Sequence, residues 1–230
     1  MKNPRLILAS TSPRRIELLR LAGLDPEVIA PNTDEIEIPG ESPAKMVMRL
    51  AQEKAEASAF KAMTHTAPKI LHKQGLLIIA ADTTVVAPGT KKEVPQTLGK
   101  PINKADAARM LRLLSGKAHT VLTGYCILKL TPSGKKPGLL ESHVMGRVVQ
   151  STVKIRKLTA REITHYIATG EPMDKAGSYA AQGLGMALIE EIQGSYTNVV
   201  GLPVCQVLQD LESRFKWKWL ENTSKKRAKK

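Results

Sequence analysis

Residues 5–23 read RLILASTSPRRIELLRLAG, and this stretch indicates a strand, a short polar loop and a helix in immediate succession. The apolar run Arg5–Ala9 is typical of a short buried strand. Ser12 stands before Pro13, and proline suits the first helical turn because its missing N–H would have had no partner there. We therefore predict a helix that begins at Pro13, takes Ser12 as its cap and is ended by Gly23.

The rest of the chain alternates between strand-like and helix-like segments. The apolar, β-branched run Leu76–Val86 indicates one central strand, or two that are broken at Asp82. Capping residues and apolar spacing predict further helices and strands. The helices fall at about 43–63, 103–115, 159–170 and 203–215, and the strands at about 120–130, 141–156 and 184–192. This pattern predicts an α/β fold in which helices flank a mixed sheet with a cleft.

The length and composition favour an ordinary soluble protein. The chain has 230 residues, of which 42% are hydrophobic and 24% charged. It has no apolar run long enough to cross a membrane, and its first apolar run is too short for a signal peptide. We expect a cytoplasmic protein with one catalytic domain over residues 1–221 and a basic disordered tail over residues 222–230.

The net charge of +14 predicts an anionic partner, such as a nucleotide, a nucleic acid or a membrane surface. Aromatic residues make up 3% of the chain and do not alternate with the basic ones, which argues against a base-stacking platform. Cys126 and Cys205 lack metal-site spacing and are interpreted as two reduced, buried thiols. The scattered histidines do not form a metal-binding pair.

The loop Ser10–Ser12 and the following Arg14 and Arg15 form the first candidate site. A helix start offers free N–H groups and a partial positive charge, and arginine forks match phosphate oxygens. This arrangement predicts a cradle for a polyphosphate. The alternative is a capped surface helix with two solvated arginines.

Asp82 interrupts an otherwise apolar or threonine-containing strand, and a buried carboxylate there needs a partner, a metal or a function. It is a candidate ligand for a divalent ion or a proton acceptor for water. The alternative is a structural aspartate that accepts hydrogen bonds from nearby backbone. Lys54 lies at the edge of an apolar helix face, where it either enters a cleft or extends to solvent.

Two weaker motifs contain Lys100 and Gln182. Gly99 beside Lys100 allows backbone and ammonium to approach an anion together, although a turn with a surface lysine fits equally well. Gln182 lies in a segment rich in glycine and small residues, which allows close approach to a ligand. Its amide has the donor and the acceptor that a base edge requires, and the alternative is a flexible connector.

These motifs occur together and in a fixed order. They read ASTSPRRIELL at 9–19, RLAQEKA at 49–55, ADTTV at 81–85, DKAG at 174–177 and NVVGLP at 198–203. In this combination the chain resembles the Maf family of nucleoside triphosphate pyrophosphatases over residues 6–211, which is nearly all of it except the tail.

The resemblance implies an extended mixed sheet with two lobes around a deep cleft, as in the inosine triphosphatase-like architecture. It implies hydrolysis between the α and β phosphates with a divalent cation, Mg²⁺ or Mn²⁺, and often a homodimer. Asp82 matches the proton acceptor. The remaining matches are Ser10, Arg15, Lys54 and Lys100 for phosphate binding, Glu35 with Asp82 for the metal, and Arg14, Thr83 and Gln182 for substrate choice. With glutamine at position 182, the chain resembles the branch of the family that acts on dTTP and UTP.

A second hypothesis keeps the fold without the reaction. In it the chain is a non-catalytic regulator that binds nucleotides or nucleic acid through the same fold and basic surface. The complete set of acidic and basic candidates favours the enzyme.

Overall fold

A computed structural model describes residues 4–36, 38–66, 71, 74–89, 96–134 and 139–220 of the chain. Within these residues, seven strands form one sheet: β1 (Arg5–Ala9), β2 (Glu27–Val28), β3 (Leu76–Ala87), β4 (Gln96–Leu98), β5 (Ala118–Pro132), β6 (Leu140–Ile155) and β7 (Ile189–Gln193). The helices in these ranges are α1 (Pro13–Leu21), α2 (Pro43–Thr64), α3 (Lys104–Leu114), α4 (Ala160–Ala168), α5 (Tyr196–Val200) and α6 (Val204–Phe215). None of them is long and apolar enough to cross a bilayer.

The sheet is mixed, as predicted. Its order is β2-β1-β3-β5-β6-β7, with β4 paired to β3. β1 is parallel to both β2 and β3, whereas the pairs β3–β5, β5–β6 and β6–β7 are antiparallel. The α/β class and the flanking helices are therefore confirmed, while the division into two lobes stays a prediction.

Strand β3 runs unbroken through Asp82, and its alternation assigns neighbouring side chains to opposite faces of the sheet. Leu77, Ile79 and Ala81 pack in a core with helices α1 and α6, whereas Ile78 and Ala80 pack in a core with α2. Because this period continues, the side chain of residue 82 points towards α2 and that of residue 83 towards α1. A register slip of one residue would exchange the two.

Gly124 brings α2 close to the sheet beside the position of Asp82. Gly124 is the register partner of Asp82 on β5. A Cβ atom at Gly124 would lie 2.5 Å from the carbonyl oxygen of Val47 and 2.8 Å from the backbone nitrogen of Met48. Only glycine therefore allows the first turns of α2 to pack this closely on the strand pair.

Two predictions about local structure are wrong. The strand expected at 184–192 begins only at Ile189, because residues 183–188 form 3-10 turns that follow the positive φ of Gly183. Ser12 starts α1 as expected, but its side chain makes no capping bond; instead its N–H donates to Ser10 Oγ at 3.1 Å. The conformational freedom of Gly183 allows turns where alternation predicted a strand, and the hydroxyl of Ser10 accepts a hydrogen bond at the helix start where a cap by Ser12 was predicted.

The two cysteines differ from each other. Both are free, but Cys126 is buried in β5 whereas Cys205 is exposed at the start of α6. The prediction of two buried thiols is thus wrong for Cys205. The tail at 222–230 lies outside the described residues, and the domain boundary at 221 stays a prediction.

Candidate active site

One cleft of about 370 Å³ lies where β1 and β3 meet the start of α1 and the side of α2. All nine residues that the sequence singled out line it: Ser10, Arg14, Arg15, Glu35, Lys54, Asp82, Thr83, Lys100 and Gln182. Residues far apart in the chain therefore share one site, although their individual roles stay predictions.

Lys54 bridges the two candidate metal carboxylates. Its Nζ donates to Asp82 Oδ1 and to Glu35 Oε1, both at 2.6 Å. Lys54 is only 5% exposed and Asp82 only 7%, so the two charges compensate each other in a poorly solvated place. Lys54 thus enters the cleft rather than extending to solvent. Asp82 accepts its hydrogen bond from the ammonium of Lys54, whereas a purely structural aspartate was expected to accept from nearby backbone N–H groups.

Glu35 is held as a carboxylate by the cations of the cleft. Burial raises the pKa of Glu35, but the hydrogen bond from Lys54 and the charges of Lys54, Lys100 and Arg15 outweigh it and lower the pKa below its usual value. Lys54 and Lys100 therefore both act on the carboxylate of Glu35, and such a concentration of cations suits the binding of a polyanion.

Arg15 is fixed from three sides. Its Nε donates to the carbonyl oxygen of Gly201 at 2.7 Å, one Nη donates to Thr83 Oγ1 at 3.1 Å and the other to Ser10 Oγ at 3.4 Å. Burial lowers the pKa of Arg15, and the charge of Asp82 opposes that effect. An arginine held in this way presents its fork in one orientation, unlike a solvated surface arginine.

A buried polar network behind Arg15 was not predicted. Thr83 Oγ1 lies 2.9 Å from Thr123 Oγ1, and Thr123 donates to the carbonyl oxygen of Asn198 at 3.0 Å. Asn198 is fully buried, and its Nδ2 donates to Ser151 Oγ at 3.0 Å. The NVVGLP motif signalled Asn198, but nothing in the local sequence pairs it with Thr123, because that contact depends on how α5 packs against β5.

Arg14 lies at the mouth of the cleft and donates to Asp174 Oδ2 at 3.2 Å. Asp174 also accepts from Lys175 Nζ at 2.5 Å, so it holds two cations beside the entrance. The DKAG motif contains Asp174 and Lys175, but no pattern in the sequence predicted a partner for Asp174. Because this carboxylate is largely exposed, solvent screens its ion pairs with the two cations, and each pair contributes little to stability.

Tyr179 adds a buried wall to the cleft. Its hydroxyl lies 2.7 Å from Nε2 of His119. Burial lowers the pKa of His119 to about 4, so the imidazole is neutral at neutral pH and serves as a hydrogen-bond partner rather than a charge.

The side chains fit a magnesium-type ion only with help from a substrate. No group of three or more His, Cys, Asp or Glu side chains that could hold a metal occurs within the described ranges. Glu35 and Asp82 nevertheless converge on one nitrogen. Mg²⁺ is commonly bound by one or two carboxylates together with substrate phosphates, and this pair meets that requirement.

Comparison with known proteins identifies the family. The family model of Maf-like proteins matches residues 5–214, which include every residue of the cleft named above. The chain belongs to the Maf family. This Maf chain is 44% identical over 211 residues to a dTTP/UTP pyrophosphatase of Geobacter sulfurreducens, covering 92% of this chain and 97% of the relative.

Further relatives of this Maf chain carry the same name. The dTTP/UTP pyrophosphatase of Geobacter metallireducens is 44% identical over 212 residues, which cover 92% of this chain and 97% of the relative. The one of an Anaeromyxobacter species is 43% identical over 205 residues, which cover 89% and 87%. The likeness therefore extends over the whole fold rather than over isolated motifs.

Proposed function

We propose that this protein is a nucleoside triphosphate pyrophosphatase that hydrolyses the bond between the α and β phosphates and prefers dTTP and UTP. The observation that carries the proposal is the convergence of nine predicted residues on one cleft, with Asp82 buried against Lys54. The names of the relatives agree with it.

Phosphate binding is assigned to the cationic side of the cleft. Arg15, Lys54 and Lys100 neutralise the triphosphate, and Ser10 together with the start of α1 offers hydroxyl and N–H donors. Hydrolysis of a polyanion is limited by charge repulsion and positioning, so a fixed array of cations and dipoles supplies most of the catalysis.

Asp82 is assigned as the proton acceptor. It takes a proton from the attacking water, whose oxygen bonds to phosphorus while the bond to the pyrophosphate leaving group breaks. Glu35 and Asp82 would hold a Mg²⁺ or Mn²⁺ ion, which neutralises phosphate oxygens when bound. Lys54 orients the carboxylate of Asp82 through its 2.6 Å bond.

The base is assigned to Gln182. Its amide offers one carbonyl acceptor and an NH₂ donor, which match the N3–H and a ring carbonyl of uracil or thymine. Gln182 lines the same cleft as the phosphate-binding residues. Thr83 and Arg14 flank the site and are assigned to substrate choice.

Release of pyrophosphate and monophosphate from a panel of nucleoside triphosphates, with Mg²⁺ or Mn²⁺, tests the function. We expect both products in equal amounts, with the highest kcat/KM for dTTP and UTP. Release of inorganic phosphate alone would contradict cleavage between the α and β phosphates. Nucleotide binding without any hydrolysis would favour the non-catalytic regulator.

Changing Gln182 to Glu is expected to lower the ratio of kcat/KM for UTP to that for GTP about tenfold. The carboxylate lacks the donor that pairs with a pyrimidine carbonyl, and leaving such a polar group unpaired costs about 1–3 kcal/mol. Steady-state kinetics with the two nucleotides measure the ratio. Gln209→Glu, on an exposed position of α6, is the control for added charge. An unchanged order of preference in Gln182→Glu would refute the assignment.

Two partner assignments remain proposals. In the described part of the chain, β7 pairs only with residues 152–155 of β6, so residues 140–151 form a sheet edge to which a second copy could add a strand. This edge supports a homodimer, and measurement of the molecular mass in solution tests for one.

A nucleic-acid contact is assigned to the tail alone, so deletion of residues 222–230 should abolish that contact and leave hydrolysis intact.

A further inference from the structure

The segment after Gln182 is anchored by a single carboxylate. The N–H of Leu184 donates to Glu171 Oε2 at 2.9 Å, and the N–H of Gly185 donates to Glu171 Oε1 at 2.8 Å. Both oxygens of Glu171 are thus bonded to the backbone two and three residues beyond Gln182. No motif in the sequence assigned a role to Glu171.

The segment before Gln182 is anchored by two tyrosines. Tyr166 donates its hydroxyl proton to Glu171 Oε1 at 2.8 Å and accepts the N–H of Ala180 at 3.1 Å. The hydroxyl of Tyr196 donates to the carbonyl oxygen of Ala181 at 3.2 Å. Glu171 and Tyr166 therefore connect the two sides of the loop, and we call this pair the loop clamp.

The glycines of the loop are required by the loop clamp. A Cβ atom at Gly183, whose φ is +67°, would lie 2.4 Å from Glu171 Oε2. A Cβ atom at Gly185 would lie 2.2 Å from the carbonyl oxygen of Ala180 and 2.7 Å from the hydroxyl of Tyr166. The glycines that follow Gln182 thus allow the backbone to pack closely against these side chains. The segment is therefore tightly packed, unlike the flexible connector of the alternative interpretation.

Glu171 is bonded as an ionised carboxylate. Burial raises the pKa of Glu171, but the hydrogen bonds from the Leu184 N–H, the Tyr166 hydroxyl and the Gly185 N–H outweigh it and lower the pKa. All three partners are donors, which suits an ion that only accepts hydrogen bonds.

We propose that Glu171, acting with Tyr166, is a positioning residue that sets the base preference by fixing the backbone that carries Gln182. An amide discriminates between bases only if its donor and acceptor are held in register with the base edge, and such a group must be held by its supporting contacts. This inference rests on the proposed function, because it takes Gln182 as the residue that contacts the base.

Two variants test the loop clamp. Glu171→Gln keeps the shape but places an NH₂ group against the N–H donors, and Tyr166→Phe removes one hydroxyl in case the first variant folds poorly. In both we expect the ratio of kcat/KM for UTP to that for GTP to fall about fivefold, with a smaller fall in kcat. Glu212→Gln, on the exposed face of α6, should leave the ratio unchanged.

A double-mutant cycle separates positioning from general damage. If Glu171 acts through Gln182, then adding Glu171→Gln to Gln182→Ala changes the ratio by less than about twofold, because the amide that it orients is gone. Additive effects would overturn the proposal, and so would a ratio in either single variant that equals the wild-type ratio.

Dissociation constants of UTP and GTP, measured by calorimetry, distinguish failure of this inference from failure of the proposed function. They require no turnover, so they report base preference even for a chain that releases no pyrophosphate. A lower preference in the Glu171→Gln variant supports the loop clamp in that case also. Equal preference in wild type and variant overturns it, whatever the outcome for hydrolysis.

Discussion

Replacing Asp82 by Asn is expected to lower kcat by about 10²–10⁴-fold, the usual contribution of a positioned general base. The amide cannot accept a proton from water, and it is a poor ligand for a divalent ion compared with a carboxylate. The carbonyl oxygen of the new residue can still accept the hydrogen bond from Lys54, and Glu35 remains as the counterion of that lysine. The variant should therefore fold.

The measurement is pyrophosphate release under saturating UTP, with the circular dichroism spectrum and Tm as checks on folding. Asp25→Asn is the matched control, because Asp25 is exposed and forms a long 3.7 Å ion pair with Arg20. We expect wild-type kcat in the control. A folded Asp82→Asn protein whose kcat lies within about tenfold of wild type would remove Asp82 from the proton-transfer step.

Replacing Arg15 by Lys is expected to lower kcat/KM by about 10²–10³-fold, in the range seen when one fixed donor to a developing charge is lost. Lysine keeps the charge but lacks the planar fork that Gly201 and Thr83 orient. The change also removes a 2.7 Å bond to the Gly201 carbonyl, so the free energy of unfolding should fall by about 1–3 kcal/mol.

Arg20→Lys on the same helix is the control, since Arg20 is exposed and its ion pair with Asp25 is long, at 3.7 Å. Steady-state kinetics and urea unfolding of both variants give the two quantities. If Arg15→Lys lost stability but kept kcat/KM within about threefold of wild type, Arg15 would be a structural residue that ties α1 to Gly201.

The sequence was sufficient for the class of the fold, and it named nine residues that line one cleft. Strand and helix periodicity, together with Pro13, predicted the succession of β1 and α1. These signals are local, because side-chain alternation and helix caps depend on residues within one or two turns. The ordered motifs likewise contain six of the nine residues, since each motif is a continuous stretch of chain.

Periodicity failed where backbone freedom decided the structure. The strand expected at 184–192 is replaced in its first half by 3-10 turns, because Gly183 adopts a positive φ and Glu171 binds the N–H groups that a strand would have used. Glu171 precedes those N–H groups by 13 and 14 residues, beyond the reach of any local pattern.

Only the tertiary structure determined which side chains form hydrogen bonds with one another in the cleft. Lys54 reaches Asp82 across 28 residues of sequence, and Arg15 reaches Gly201 across 186. The contact between Lys54 and Asp82 follows from the alternation of β3, which turns Asp82 towards α2, and from the close packing that Gly124 allows. A sequence specifies the residue types that a charged cleft requires, but hydrogen bonds over 2.6–3.1 Å form only after the sheet and its two layers of helices have packed.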